Sequence, residues 1–240
     1  MSILKNIRKL IQKTGFDIRR HNILNSCSLH QSILLKKLKI DQVVDIGANS
    51  GQYALGLRSS GYSGKLLSIE PLSGPHNELS LKAKNDQNWI VYKRCAVGSF
   101  DGEIMINQSA NSVSSSLLPM LDAHIQASSD SAYIGQELTP ICRLDSILAE
   151  MNVLKGKVLL KIDTQGYEYE VLMGSTAALN HTRCIIIELS LQQLYEGQKD
   201  WIEIVAFLKS IGFSLWGLHP VFGDIDLGRL LQVDGIFLRD

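Results

Sequence analysis

Residues 43–53 read VVDIGANSGQY, and the reading of this stretch decides the reading of the chain. Apolar and β-branched residues run directly into two glycines, Gly47 and Gly51, and an acid, Asp45, stands two residues before the first. An apolar strand that breaks into a glycine turn and restarts as a helix is the ligand-binding end of an open α/β sheet. A dinucleotide calls for G-x-G-x-x-G, three glycines that let its pyrophosphate reach the helix N-terminus. Here there are two glycines four residues apart. The Asp45 carboxylate would repel a pyrophosphate and attract an ammonium group.

The second clue is Glu70 in "SIEP", nineteen residues after Gly51. An acid ending the second strand can accept hydrogen bonds from both hydroxyls of a ribose. That points to adenosine without separating one cofactor from another; the glycine spacing and Asp45 do the separating. An adenosine ligand with an ammonium group and no phosphate is S-adenosylmethionine. Two alternatives stay open at this point. One is a nicotinamide-dependent oxidoreductase, disfavoured by the missing third glycine; the other is a catalytically silent cofactor-binding or scaffold protein with the same turn.

Outward from the turn, apolar runs of strand length recur at 42–47, 66–70, 89–97, 158–163 and 184–189. Helical periodicity follows most of them, at 52–59, 76–84, 166–179 and 200–211. Near-continuous apolar strands alternating with helices predict a parallel sheet covered on both faces. The end differs: "FSLWGL" and "VDGIFLRD" are two strand-like segments with no helix between them. They predict an antiparallel, hairpin-like finish. Residues 100–140 break the alternation, with a strand at 102–107 and then "QSANSVSSS", too poor in large apolar residues to build a core. This stretch is expected to be a loop or lid. A short helix is expected at 144–151.

The 240 residues carry no net charge, yet the distribution is uneven. Residues 1–39 hold Lys5, Arg8, Lys9, Lys13, Arg19, Arg20, Lys36, Lys37 and Lys39 against the single acid Asp17. The remainder is net acidic, from which no nucleic-acid partner is expected. Ile3, Leu4, Ile7, Leu10 and Ile11 fall at helical spacing, opposite most of the lysines and arginines. The default reading is a helix packed on the main domain or on a second copy in a homodimer. The sharper reading is peripheral membrane contact through residues 1–20. The chain is thus divided into an N-terminal basic amphipathic helical extension, 1–40, and a catalytic domain, 41–240. Four scattered cysteines form no C-x-x-C pair, so neither a disulfide framework nor a zinc site is expected, and a cytoplasmic location is. No apolar run is long enough to span a membrane.

In order along the chain, "VVDIGANSGQY", "SIEP", "CAVG" followed by "DGE", "RLDSIL", "LLKIDTQGYEYEVLMG" and "IIIELS" resemble the FkbM-type S-adenosylmethionine-dependent methyltransferases. The resemblance covers about residues 40–240. It implies a class I methyltransferase fold: a Rossmann-like three-layer αβα sandwich whose seven-stranded, mostly parallel sheet has an antiparallel last strand. It implies O-methylation of a hydroxyl on a glycan or small metabolite. It also places the methionine moiety against Asp45, Gly47, Ala48, Asn49 and Gly51, with Gln52 and Tyr53 lining the same pocket. Glu70 would hold the ribose, Pro71 would lie beside the adenine, and Ala96 and Val97 would flank it, with the exposed backbone of 95–97 bonding its edge.

Methyl transfer to an alcohol needs alignment, exclusion of water and a destination for one proton. Asp163, ending "LLKID", and Glu188, ending "IIIE", are the catalytic candidates, since adjacent strands would bring them side by side. No third strand-end ligand accompanies them, so no metal is expected. Glu168 reads as a first-turn helix acid more than a site residue. His76 reads as a surface helix residue. His219 lies in a loop-like stretch where an acceptor could approach, and Ser112 and Ser114–Ser116 either bond a polyhydroxylated acceptor or belong to the lid.

Overall fold

The computed structural model describes residues 2–151 and 156–239, with side chains placed from residue 5 onward. The elements follow in chain order. Helices α1 (Ser2–Gln12) and α2 (Cys27–Leu38) precede strand β1 (Gln42–Ile46), α3 (Gln52–Ser59), β2 (Lys65–Ile69), α4 (Ser73–Ala83) and β3 (Trp89–Val91). Next come β4 (Ala96–Val97), β5 (Gly102–Ser109), α5 (Asp122–Ala127), β6 (Tyr133–Cys142) and α6 (Leu144–Met151). The last part holds β7 (Val158–Ile162), α7 (Glu168–Met173), α8 (Thr176–His181), β8 (Thr182–Ser190), α9 (Trp201–Ser210), β9 (Ser214–Asp224) and β10 (Arg229–Leu238).

The main sheet has seven strands in the order β3-β2-β1-β7-β8-β10-β9. β3, β2, β1, β7 and β8 are parallel, whereas β10 runs antiparallel to both β8 and β9. This is the Rossmann-like sandwich of a class I methyltransferase, with the hairpin finish expected from the C-terminal segments. β1 and β7 are buried along their whole length and β8 at every residue but Arg183, and the two faces supply two cores. One face packs Val44, Ile46, Leu160, Ile162, Ile185 and Ile187 under α6, α7, α8 and α9. The other packs Val43, Leu66, Leu159 and Ile186 against Leu34 and Leu35 of α2 and Ala54 and Leu57 of α3. The chain reverses order at β1, and the carboxyl ends of β1, β2 and β7 open there on the ligand-binding side.

Four expectations are corrected. The run 89–97 is not one strand, because β3 ends at Val91 and Ala96–Val97 joins a separate three-stranded sheet, β4-β6-β5. The intervening turn is drawn away by polar side chains: Tyr92 Oη donates to Glu150, and Arg94 donates to the Pro71 carbonyl and to Glu137. The helix expected over 166–179 is two short ones, broken at Gly174, where any side chain would land on the backbone carbonyl of Gly98. Residues 100–140 contain a ten-residue strand, β6, besides the loop. Finally, Lys5–Leu10 of α1 are exposed, so this part of the helix does not pack on the main domain. Its local ties are the ion pair from Arg8 to Asp17 and a hydrogen bond from Gln12 to the same acid. The side chains of Ile3 and Leu4 lie outside the described ones. By contrast α2, capped by Ser26 accepting from the Leu29 N–H, is part of the core.

Candidate active site

The opening stretch forms β1, the turn and the first residues of α3. The Gly47 and Ala48 N–H groups donate to the Ile69 carbonyl, and the Asp163 N–H donates to the Ile46 carbonyl, so β1, β2 and β7 end together. Gly47 has φ +77°, and a Cβ there would strike the Asp163 carbonyl oxygen. Gly51, φ +87°, is the N-cap of α3. Asn49 also holds a left-handed conformation, φ +45°, which an asparagine tolerates at modest cost. The result is a cradle of bare backbone. It opens into a cavity of about 470 Å³ whose wall includes Asp45, Gly47, Ala48, Asn49, Gln52, Tyr53, Glu70, Pro71, Ala96, Val97, Asp163 and Glu188. Of the expected residues only Gly51 is missing from the wall; its place is behind the turn, against Leu79 and Trp89. Ala96 and Val97 are buried and form an edge strand that pairs on one side only, with Ile141 and Cys142 of β6.

Electrostatics follow from burial. Asp45 is buried, and its Oδ2 has no hydrogen-bond partner. Burial raises its pKa to about 7, although the nearby Lys161 ammonium pulls the other way. Glu70 is also buried and pushed up to about 7 by desolvation. It accepts from the Asn49 N–H at 2.8 Å and from the Leu72 N–H at 2.9 Å, which leaves lone pairs free on both oxygens. A bare-backbone cradle, a buried carboxylate lacking a partner and a second acid with unused lone pairs fit S-adenosylmethionine. Its cation would give Asp45 a partner, and its ribose hydroxyls would give Glu70 donors.

Asp163 and Glu188 do come together, bridged by Gln165. Its Nε2 donates to Asp163 Oδ1 at 2.9 Å and to Glu188 Oε2 at 2.8 Å, and its Oε1 accepts from Tyr195 Oη at 2.8 Å. Glu188 accepts a further bond from Gln232 Nε2. Burial first, then the neighbouring Asp163, raise the Glu188 pKa well above the ordinary carboxylate value, which favours its protonated form. The other oxygen of Asp163 faces Lys161 Nζ at 3.3 Å. Burial disfavours the charge on Lys161, but Asp163 and Asp234, the latter at 3.2 Å, overcome this and hold the ammonium charged. Glu168 is a structural acid that accepts from the Thr164 and Gly166 N–H groups and the Thr164 hydroxyl.

The polar stretch after β5 closes the cavity from above. Asn107 and Ser116 exchange backbone hydrogen bonds, the Leu121 N–H donates to the Leu194 carbonyl, and the Glu196 N–H donates to the Pro119 carbonyl. Leu118, Met120, Ala123 and Phe222 pack on a small core of Leu194, Tyr195 and Leu231. Residues 110–131 are therefore a roof fastened to the loop after β8. Ser112, Ser114, Ser115, Ser116, Ser128 and Ser131 all line its underside. A single side-chain bond, Asn49 Nδ2 to Ser112 Oγ at 3.2 Å, joins cofactor turn and roof directly.

Neither histidine weighed in the sequence lies in the cavity wall. His76 Nε2 sits 2.8 Å from the Tyr92 carbonyl, and His219 is buried in β9 with its Nε2 3.0 Å from His30 Nδ1 of α2. The residues that sequence reasoning missed are Lys161, Gln165, Tyr195 and His124. A lysine inside the apolar run "VLLKID" was the available signal for the first. Gln165, φ +53°, needed the backbone to reveal it, and nothing local marks Tyr195 or His124.

The family described as "Methyltransferase FkbM domain" matches residues 45–215, from the acid before the cradle to the start of β9. The chain belongs to this family. Its members bind S-adenosylmethionine and transfer a methyl group, and this protein is such a methyltransferase. No curated protein matches it. Among solved structures, it resembles a candidate O-methyltransferase from Klebsiella pneumoniae at 10% identity and TM-score 0.50, over 99% of this chain and 90% of that one. An rRNA methylase from Streptococcus thermophilus matches at 12% identity and TM-score 0.47, over 93% of this chain and 99% of that one. A candidate RNA methyltransferase from Pyrococcus horikoshii matches at 12% identity and TM-score 0.45, over 88% and 83%. At these identities the likeness shows the fold alone. The expectation of no nucleic-acid partner is corrected here, because two structures of this fold carry names of enzymes acting on RNA. Net charge averages over a whole chain and does not report a local surface. No described helix is long and apolar enough to cross a membrane.

Proposed function

We propose that this methyltransferase transfers its methyl group to a hydroxyl of a glycan or small metabolite. The observation that carries the reading is that the cofactor cradle and the strand-end pair Asp163–Glu188 share one cavity with a roof of serine hydroxyls. Ligand cavities bind by a few placed polar groups within an otherwise apolar wall. Here those groups are hydroxyl and amide donors and acceptors suited to an alcohol. The charged side chains on the wall are Asp45, Glu70, Asp163, Glu188 and Lys161, and the lysine is already neutralised by Asp163 and Asp234. An acceptor that is uncharged at its reacting end fits such a wall; an anionic one would meet acids.

In this reading Asp45 with the turn Gly47, Ala48, Asn49 and Gly51 holds the amino-acid end of the cofactor, with Gln52 and Tyr53 beside it. Glu70 takes the ribose hydroxyls, and Pro71, Ala96 and Val97 form the apolar slot for the adenine. The bound sulfonium supplies an activated methyl carbon. Asp163, paired with Lys161 and held by Gln165, would face that cation, and Glu188, whose protonated form burial favours, can donate to the acceptor oxygen. Both are catalytic in the sense of touching the reacting groups. The roof excludes water, which strengthens these electrostatic contacts.

The test is transfer of labelled methyl from S-adenosylmethionine to panels of glycans, lipid-linked sugars, small hydroxyl compounds, amines and RNA. The expected product is a methyl ether. Label appearing only on nitrogen or carbon contradicts the reading.

A further inference from the structure

The floor of the cavity leaves one chemical question open, namely where the acceptor's proton goes. Asp163 already accepts from Gln165 at one oxygen and from Lys161 at the other. Glu188, whose protonated form burial favours, accepts from Gln165 and Gln232 at Oε2. Each carboxylate is held in place by these partners, and each keeps lone pairs unused by them.

The roof offers a different group. His124 of α5 is 2% exposed and lines the cavity. Its Nδ1 lies 3.1 Å from Met120 Sδ. A thioether sulfur has no proton to give and is only a weak acceptor, so the tautomer with hydrogen on Nδ1 is the one this contact admits. The lone pair then sits on Nε2. That atom makes no hydrogen bond to a described residue, yet it is not among the sealed, partnerless atoms such as Asp45 Oδ2 and Tyr53 Oη. The residue lines the cavity, and the described residues leave this lone pair unused. The ring itself is clamped, with its centroid 5.4 Å from that of Tyr195 and 5.1 Å from that of Phe222. Tyr195 Oη in turn bonds Gln165, so the clamp on His124 and the clamp on the floor acids share one residue.

We propose that His124 is the general base of this enzyme, accepting the proton of the acceptor hydroxyl at Nε2 from beneath the roof. The proposal rests on the hydroxyl-transfer reading above. As the acceptor oxygen's lone pair forms the new bond to the methyl carbon, its proton passes to Nε2. The electron pair of the broken carbon–sulfur bond stays on sulfur, and the imidazolium later gives the proton to water. Burial pulls the His124 pKa below its ordinary value, opposed by the Asp130 carboxylate, so the ring is neutral and basic at neutral pH. The groups facing it are Met120, the Tyr195 and Phe222 rings and Asp130, with Asp122 on its own helix and Asp163 and Glu188 elsewhere on the cavity wall.

Nitrogen-15 NMR of the imidazoles in the cofactor-free protein tests the site without turnover. The expected result is hydrogen on Nδ1 and titration below pH 6.5; hydrogen on Nε2, or a ring protonated at pH 7, overturns the proposal. For catalysis, His124→Gln and His124→Phe are compared with wild type after circular dichroism shows that they fold. Cofactor affinity by calorimetry should stay within about twofold, while turnover falls by about 10²–10⁴ and the acidic limb of the pH–rate profile disappears. Turnover within about threefold of wild type in either folded variant sinks the assignment of His124 alone. If wild type methylates no hydroxyl compound, the underlying reading fails instead, and the proposal with it.

Discussion

The two halves of the cavity are built on different principles. The cofactor half is backbone: a turn that any side chain at Gly47 would fill, closed on its flank by Glu70 accepting two N–H groups. The acceptor half is side chains: serine hydroxyls, a clamped histidine and an amide bridge, hung from a roof that a small core of Leu194, Tyr195 and Leu231 fastens down. Backbone geometry tolerates little change, whereas a side-chain lining can be rewritten residue by residue. A single fold can therefore keep one cofactor while its acceptors vary.

The largest effect should come from crowding the backbone half. Gly47→Ala puts a Cβ onto the Asp163 carbonyl at φ +77°, and should cost about 2–4 kcal/mol of stability in chemical denaturation and abolish cofactor binding. A control change away from the cavity wall, Gly135→Ala at an exposed position of β6, meets no atom and should alter stability by less than about 0.5 kcal/mol. Equal losses from the two would erase the contrast.

Next in size is Glu70→Ala. Losing a charge-assisted hydrogen bond worth about 1.5–3 kcal/mol should weaken S-adenosylmethionine binding by roughly ten- to a hundredfold in calorimetric titration. An unchanged affinity would remove the ribose from this residue.

The pH dependence is a further signature of the cofactor half. Asp45 and Glu70 both rise to about 7 when buried without ligand, and a bound cation and ribose favour their ionised forms. Affinity should increase from pH 6 to pH 8 by about tenfold for each group that ionises on binding. The stability of the cofactor-free protein should run the other way. The folded pKa values lie above the ordinary ones of 3.8 and 4.5, so the contribution is complete below about pH 4 and is lost as pH rises through about 7. Affinity that is flat over this range would mean that neither acid meets the ligand.

The smallest effect is expected where the halves touch. Ser112→Ala removes the bond from Asn49 and should change cofactor affinity by about 0.5–1.5 kcal/mol at most, with a larger change in acceptor KM.

The same contrast explains what could be read from the sequence. Strand ends, glycines and acids at fixed offsets are local features, so Asp45, Gly47, Glu70 and the partnership of Asp163 with Glu188 were visible in one dimension. The antiparallel pair of strands at the C-terminal end needed only the missing helix between two apolar segments. The roof was legible only as a polar interruption. β6 alternates too weakly between exposed and buried residues to stand out beside "QSANSVSSS". The run 89–97 misled because its apolar content hides a turn made by Tyr92 and Arg94 reaching other elements. His124 and Tyr195 lie seventy-one residues apart in sequence and meet only through the fold. Of the two coverings expected for α1, the main domain does not supply one over Lys5–Leu10, because an amphipathic pattern states that a face wants cover without naming what covers it.

One measurement bears most directly on the claim that a single cavity holds the cofactor on its backbone half and the acceptor under its roof. It is a crystal structure with S-adenosylhomocysteine bound. The account predicts the ribose hydroxyls on the Glu70 carboxylate, the amino group at Asp45, and the sulfur turned toward the space between Asp163, Glu188 and His124. A ligand bound elsewhere, or a sulfur facing away from the roof, would contradict it.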